Sequence, residues 1–222
     1  MSVSCPFRLQ LITSEALADD VLVDRARDLL ARFPRGSVAI HVRDRVRREH
    51  EVKRLAERMA SVCAAAGAML IVNRLVDVAA QLGAGLHLGK ADANTGEAIA
   101  RAQAGNIGWL SLNAHSDNEV RVAVEHGASA VMVSPIFATQ SGALTNDAGD
   151  VSLKVPRGLD ALQRAAAIGQ GRIAIVALGG IDAQRSGKCF GRGADAVATM
   201  SQWLGGDVGK FVDDWGRVTN SR

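Results

Sequence analysis

The chain has 222 residues, 48% hydrophobic and 22% charged, with a net charge of +3, a composition that excludes collagen, a disulfide scaffold and a disordered chain. The charge excess is mild and aromatics reach only 4%, so a nucleic-acid surface of basic patches and stacking rings is not expected. Three cysteines lie far apart without CxxC spacing, no apolar run approaches a membrane span, and "MSVSCPFRLQLIT" lacks a basic region before a long apolar run. These features predict reduced thiols, a cytoplasmic protein and no membrane partner.

In chain order, "FRLQLIT" predicts a first strand, and "ALADDVLVDRARDLLARF" a helix in which Leu22, Ala26, Leu29, Leu30 and Phe33 recur at helical spacing. "SVAIHV" predicts the second strand. The basic run "VRDRVRREHEVKRL" alternates with acids and leads into a largely solvated helix, "EVKRLAERMASVCAAAG", which ends at a glycine stop. "AMLIVN" and "AGLHLG" are the third and fourth strands, separated by the helix "VDVAAQLGA", with Asp77 in its first turn. The helix "NTGEAIARAQA", the strand "IGWLSL", the helix "DNEVRVAVEHGA" and the strand "SAVMVS" follow. "GLDALQRAAAIG", "RIAIVAL", "AQRSGKCFGRGA" and "DAVATMS" complete the alternation, and Phe211 to Val218 predicts a closing helix.

Gly-Ala recurs just ahead of several apolar runs, as in "AAGAML", "EHGASAVMV" and "GRGADAVATM". A glycine there takes the left-handed cap and lets the chain turn into the next strand. Eight strands in this rhythm, with no Pro- or Ser-rich linker, predict an α/β fold: a (β/α)8 TIM barrel forming one domain over residues 1–222. A doubly wound sheet would carry a glycine-rich phosphate turn after the first strand, and "LITSEALADD" has none.

In a barrel the polar residues just after each strand form the active face. They are Arg43 and Arg45 after the second strand, Asn73 after the third, and His87, Lys90 and Asp92 with the fourth. Asn113 and His115 follow the fifth, Thr139 and Ser141 the sixth, "LGGID" the seventh, and Ser201 the eighth. Arg43 and Arg45, two apart, share one side of an extended segment. Gly179 and Gly180 expose backbone N–H groups ahead of a helix beginning near Asp182, which suits phosphate. His87, between Leu86 and Leu88, reads as a satisfied core histidine or a catalyst. His115 serves the site or the helix start beside Ser116 and Asp117, and Asp92 ligates Mg2+ or caps a helix at Ala93.

In "IHVRDR", "IVNRLVDVAAQLGAGLHLGKADA", "NAHS", "SPIFATQS", "VPRGLDAL", "VALGGID" and "GADAVATMS", in that order, the chain resembles the thiamine phosphate synthase family and its TenI-type thiazole tautomerase relatives. The resemblance implies a transferase of thiamine biosynthesis that joins an aminopyrimidine diphosphate to a thiazole phosphate and releases pyrophosphate. It implies Mg2+ as cofactor, phosphorylated small molecules as partners and a possible homodimer. It puts His41, Arg43 and Arg45 on the family's Gln-x-Arg-x-Lys grip, Asn73 on its Asn, and Asp92 on one of two metal-binding Asp positions. Thr139 and Ser141 fall on the hydroxyl loop; Gly179, Gly180 and Ser201 fall on the thiazole phosphate cup.

The chain departs from the family pattern at several points. Arg74 replaces the second metal carboxylate and is a candidate to meet the diphosphate directly; Gly142 replaces the loop lysine. Asn113 stands for Ser, Ser134 for Gly, and Pro135 for the tautomerase histidine. The alternatives are a barrel that binds a thiamine precursor or other phosphorylated metabolite without turnover, and a tautomerase-like isomerase using His87 or His115 as its base.

Overall fold

The computed structural model describes residues 3–89, 95–139, 143–145, 151–153 and 155–220. The strands are β1 (Leu9–Ile12), β2 (Val38–Val42), β3 (Met69–Asn73), β4 (Gly85–Leu88), β5 (Leu110–Ala114) and β6 (Ala130–Val133), then β7 (Ala143–Thr145), β8 (Val151–Leu153), β9 (Ala174–Leu178) and β10 (Ala196–Thr199). The helices are α1 (Asp19–Leu30), α2 (Glu49–Ala66), α3 (Val76–Gln81), α4 (Thr95–Ala104), α5 (Asp117–Glu125), α6 (Asp160–Gly169), α7 (Ala183–Phe190), α8 (Ser201–Leu204) and α9 (Val208–Asn220).

Eight strands pair in parallel and close a barrel in the order β1-β10-β9-β6-β5-β4-β3-β2, the (β/α)8 architecture expected from the strand–helix rhythm. Each of the eight anticipated apolar runs supplies one barrel strand. The fifth begins later than expected, because Ile107 N–H donates to Ala102 O and finishes the helix turn before the ladder starts. The antiparallel pair β7 and β8 and the short helix α8 were not anticipated; each has only three or four residues, too short to show a period.

Side chains alternate between two cores. Leu9, Leu11, Val38, Ile40, Val42, Leu70, Val72, Leu86 and Leu88 face outward and pack with the helices, including the Leu22, Ala26 and Leu29 stripe of α1. Ala39, Ile71, Ala130, Met132, Ala174, Val176, Ala196 and Ala198 face inward. Phe7 and Trp109, with ring centroids 5.4 Å apart, join this inner cluster. The many inward alanines leave space above that layer. At Gly67 (φ 64°) the chain takes the left-handed conformation that ends α2.

Candidate active site

One cavity of about 300 Å3 gathers residues from the ends of several strands. His41, Arg43, Arg45, His87, Asn113, His115, Thr139, Gly179, Gly180 and Ser201 all line it. Asn73 and Arg74 do not. Arg74 is exposed, has φ 66°, and its backbone N–H donates to His87 O at 2.9 Å. Asn73 pairs in register with His87 on the neighbouring strand. Asp92, Lys90, Ser141 and Gly142 lie outside the described residues.

Two of the lining residues, His41 and His87, are braced by side chains on neighbouring strands. Gln10 Nε2 and His41 Nδ1 are 2.9 Å apart, and His87 Nδ1 lies 2.8 Å from Ser111 Oγ. His41 Nε2 is buried with no partner of hydrogen-bonding geometry, although the Asn73 amide is near enough to favour the charged ring. Burial nevertheless holds His41 well below its ordinary value, helped by His87 and Arg43. Burial also pushes His87 down to about 4; Asn113 opposes this and Arg43 adds to it. Both rings are therefore neutral near pH 7, available for hydrogen bonding but not as charges. His87 is a satisfied strand residue, as one of its two readings expected, and it also forms part of the cavity wall.

Arg43 is half-buried, and Arg45 is exposed. Burial is the largest influence lowering Arg43, followed by the neighbouring charge of Arg45. Arginine remains a cation under such shifts, so this end of the cavity concentrates positive charge. The Asp44 carboxylate between them turns away, accepting from the backbone N–H groups of Val46 and Arg47, each at 2.8 Å. Burial alone would raise Asp44, but hydrogen bonds from Arg47 and Val46 hold it below the ordinary carboxylate value. Arg47 bridges Asp44 to Asp19 at the start of α1.

Across the cavity, Gly179 (φ 105°) and Gly180 (φ 62°) turn the chain from β9 into α7. A Cβ on Gly179 would sit 2.8 Å from Pro135 Cα, and one on Gly180 would sit 2.5 Å from Ala138 O. Only glycine allows this approach. Asp182 caps α7, its Oδ1 accepting from Arg185 N–H at 2.7 Å, as the "LGGID" turn predicted. Arg185 also lines the cavity. Sequence reasoning missed it, because its position one helical turn beyond the glycines was the only available signal.

His115 Nδ1 lies 2.8 Å from Ser134 O, tying the end of β5 to the loop after β6. The helix cap is made by Ser116, whose Oγ accepts from Glu119 N–H at 3.2 Å. Arg157 braces the same loop: its N–H donates to Pro135 O at 2.8 Å and its Nη2 to Asp117 Oδ1 at 2.8 Å.

Among the described residues no cluster of three His, Cys, Asp or Glu side chains could hold a metal. Asp182 is the only carboxylate on the described cavity wall, and it is committed to the α7 cap and Arg185. The described donors therefore do not fit a resident Mg2+, which takes carboxylate and substrate oxygens.

The sequence model of the thiamine monophosphate synthase family (TMP-TENI) matches residues 9–203. The thiamine-phosphate synthase of Lysinibacillus sphaericus is 40% identical over 132 residues, covering 59% of this chain and 56% of that protein. That of Methanoculleus marisnigri is 36% identical over 175 residues, covering 78% and 77%. In structure, the thiamine phosphate pyrophosphorylase from Pyrococcus furiosus superposes with a TM-score of 0.75, covering 96% of both chains at 23% identity, a likeness that carries the fold. The family match over residues 9–203 and these sequence identities show that the chain belongs to the thiamine monophosphate synthase family.

Proposed function

We propose that this chain is a thiamine phosphate synthase, a transferase that joins an aminopyrimidine diphosphate to a thiazole phosphate and releases pyrophosphate. One observation carries the reading: a single cavity has two anion-attracting ends. Arg43 and Arg45 stand at the end of β2, while Gly179, Gly180 and Ser201 stand at the ends of β9 and β10. β1 and β10 lie between β2 and β9 around the barrel, so the two ends occupy separate parts of the rim of one cavity.

In this reaction the bond from the pyrimidine methylene carbon to the diphosphate oxygen breaks, and the leaving oxygen keeps the electron pair. The thiazole nitrogen then forms the new C–N bond. Arg43 and Arg45 offset the charge that develops on the departing diphosphate, which in a water-poor site is the largest available catalytic contribution. Neutral His41 and His87, with Asn113, offer donors and acceptors to the heteroaromatic ring without adding charge that would repel a cationic carbon. Thr139 supplies a hydroxyl from the loop after β6, and Gly179, Gly180 and Ser201 receive the thiazole phosphate.

The family reaction generally uses Mg2+. Here the expected ligand, Asp92, lies outside the described residues and Arg74 stands at the second carboxylate position. Arg74 also favours the second reading, a barrel that binds phosphorylated metabolites without turnover. Purified protein incubated with both substrates decides between them: thiamine phosphate and stoichiometric pyrophosphate support the synthase. Binding of either substrate without product at any Mg2+ concentration overturns it.

A further inference from the structure

The glycine turn after β9 carries a cation that belongs to no recognised motif. Arg185, in the first turn of α7, shares the cavity wall with Gly179, Gly180, Thr139 and Ser201. Its Nη1 donates to Gly180 O at 2.6 Å, and its Nε lies 3.5 Å from Asp182 Oδ2. Its guanidinium carbon sits 5.0 Å from the centre of the Phe137 ring, which belongs to the loop after β6. The side chain is thus held by its own helix, by the glycine turn and by the facing loop.

Such a hold matters energetically. A free arginine loses much rotamer entropy when it grips a ligand, whereas a guanidinium already held by an aromatic ring and a carbonyl loses less. The cation–π contact with Phe137 uses none of the guanidinium N–H groups and leaves them for an oxyanion. Nη2 has no partner among the described residues, while Nη1 and Nε anchor the plane. Asp182 offsets part of the charge, but its Oδ1 is spent on the helix cap.

We propose that Arg185 binds the phosphate monoester end of the ligand, supplementing the backbone N–H groups of the glycine turn with a charge-assisted contact. This rests on reading the cavity as a synthase site, and it adds a specificity determinant: Arg185 separates the phosphorylated thiazole from the corresponding alcohol. Arg185 is then a binding residue. A merely structural clamp on Gly180 would affect both ligands alike.

The test uses calorimetry on the parent protein, Arg185→Gln and Arg185→Lys, titrated with inorganic phosphate, pyrophosphate, thiazole phosphate and thiazole alcohol, with thermal melts as a folding control. Arg185→Gln should weaken phosphate and thiazole phosphate about tenfold, the scale of one charge-assisted contact. Pyrophosphate and thiazole alcohol should be unchanged. Arg185→Lys, which keeps the charge without the fork, should recover part of the loss and serves if the glutamine variant does not fold. Equal phosphate affinity in all three proteins, or parallel losses for thiazole phosphate and its alcohol, overturns the assignment. A parent protein that binds neither anion overturns the synthase reading as well. Arg185-dependent phosphate binding without condensation removes the synthase reading alone.

Discussion

The imidazole rings of His41 and His87 lie 4.9 Å apart, tilted by 59°, at the floor of the cavity. They meet across β3: His41 on β2 pairs in register with Ile71 and Ile71 with Gly85, which places His87 two residues further along β4. Both rings are held below the ordinary histidine value, His87 at about 4. In the unfolded chain each would titrate at about 6.5, so below that pH the unfolded state binds more protons than the folded one. Stability should therefore be full above pH 6.5 and fall as the pH drops towards about 4. Urea unfolding across that range measures the slope, and His87→Gln should flatten it; an unchanged slope would contradict a neutral buried pair.

Gly180→Ala should both destabilise the protein and weaken phosphate-ligand binding. Its added Cβ would meet Ala138 O at 2.5 Å in a backbone of φ 62°, a combination of overlap and strain worth about 1–3 kcal/mol. Denaturant midpoints and phosphate titrations on the same variant check both parts. Gly187→Ala, in the middle of α7 with open space around its position, serves as the comparison and should show neither effect.

Arg43→Gln should lower kcat/KM for condensation by about 100- to 1,000-fold, the cost of removing one preorganised donor from developing charge. The thiazole phosphate end should keep its affinity. Pyrophosphate binding by the parent protein should persist in EDTA, because the described side chains at that end are arginines rather than carboxylates. Complete loss of binding in EDTA would show that Mg2+, not arginine, carries the anion.

Trp203→Phe tests the link between α8 and the barrel. Trp203 is fully buried, and its Nε1 donates to Ile12 O at 2.7 Å, while Arg25 on α1 donates to Trp203 O. Ile12 itself lines the cavity. Removing the indole N–H leaves a buried carbonyl unpaired, costing about 1–3 kcal/mol, and should raise KM for the thiazole phosphate more than for the diphosphate.

The strands and most helices were legible because each carries its own period. Leu22, Ala26, Leu29 and Leu30 mark one face of α1, and the glycines before β3, β6 and β10 mark the turns. Gly179 and Gly180 were legible as a turn into a helix, and their place after the seventh predicted strand put them on the active face, where they line the cavity. Arg185 was not, since nothing in "IDAQRSG" separates it from an ordinary solvated helix residue until the Phe137 ring and Gly180 carbonyl are placed around it. Asn73, read from the strand end, and Arg74, read from the family resemblance, are not on the described cavity wall, although Asn73 is near enough to influence His41.

The sequence by itself determined the alternation of strand and helix, the barrel class and the family, because hydrophobic period, cap residues and motif order are local properties of the chain. The tertiary structure decided which polar residues share a cavity, because that depends on strand register and barrel closure between residues far apart in sequence. Those long-range pairings place neutral His41 against His87 and bring Arg43, Arg45, the glycine turn and Arg185 to one cavity wall.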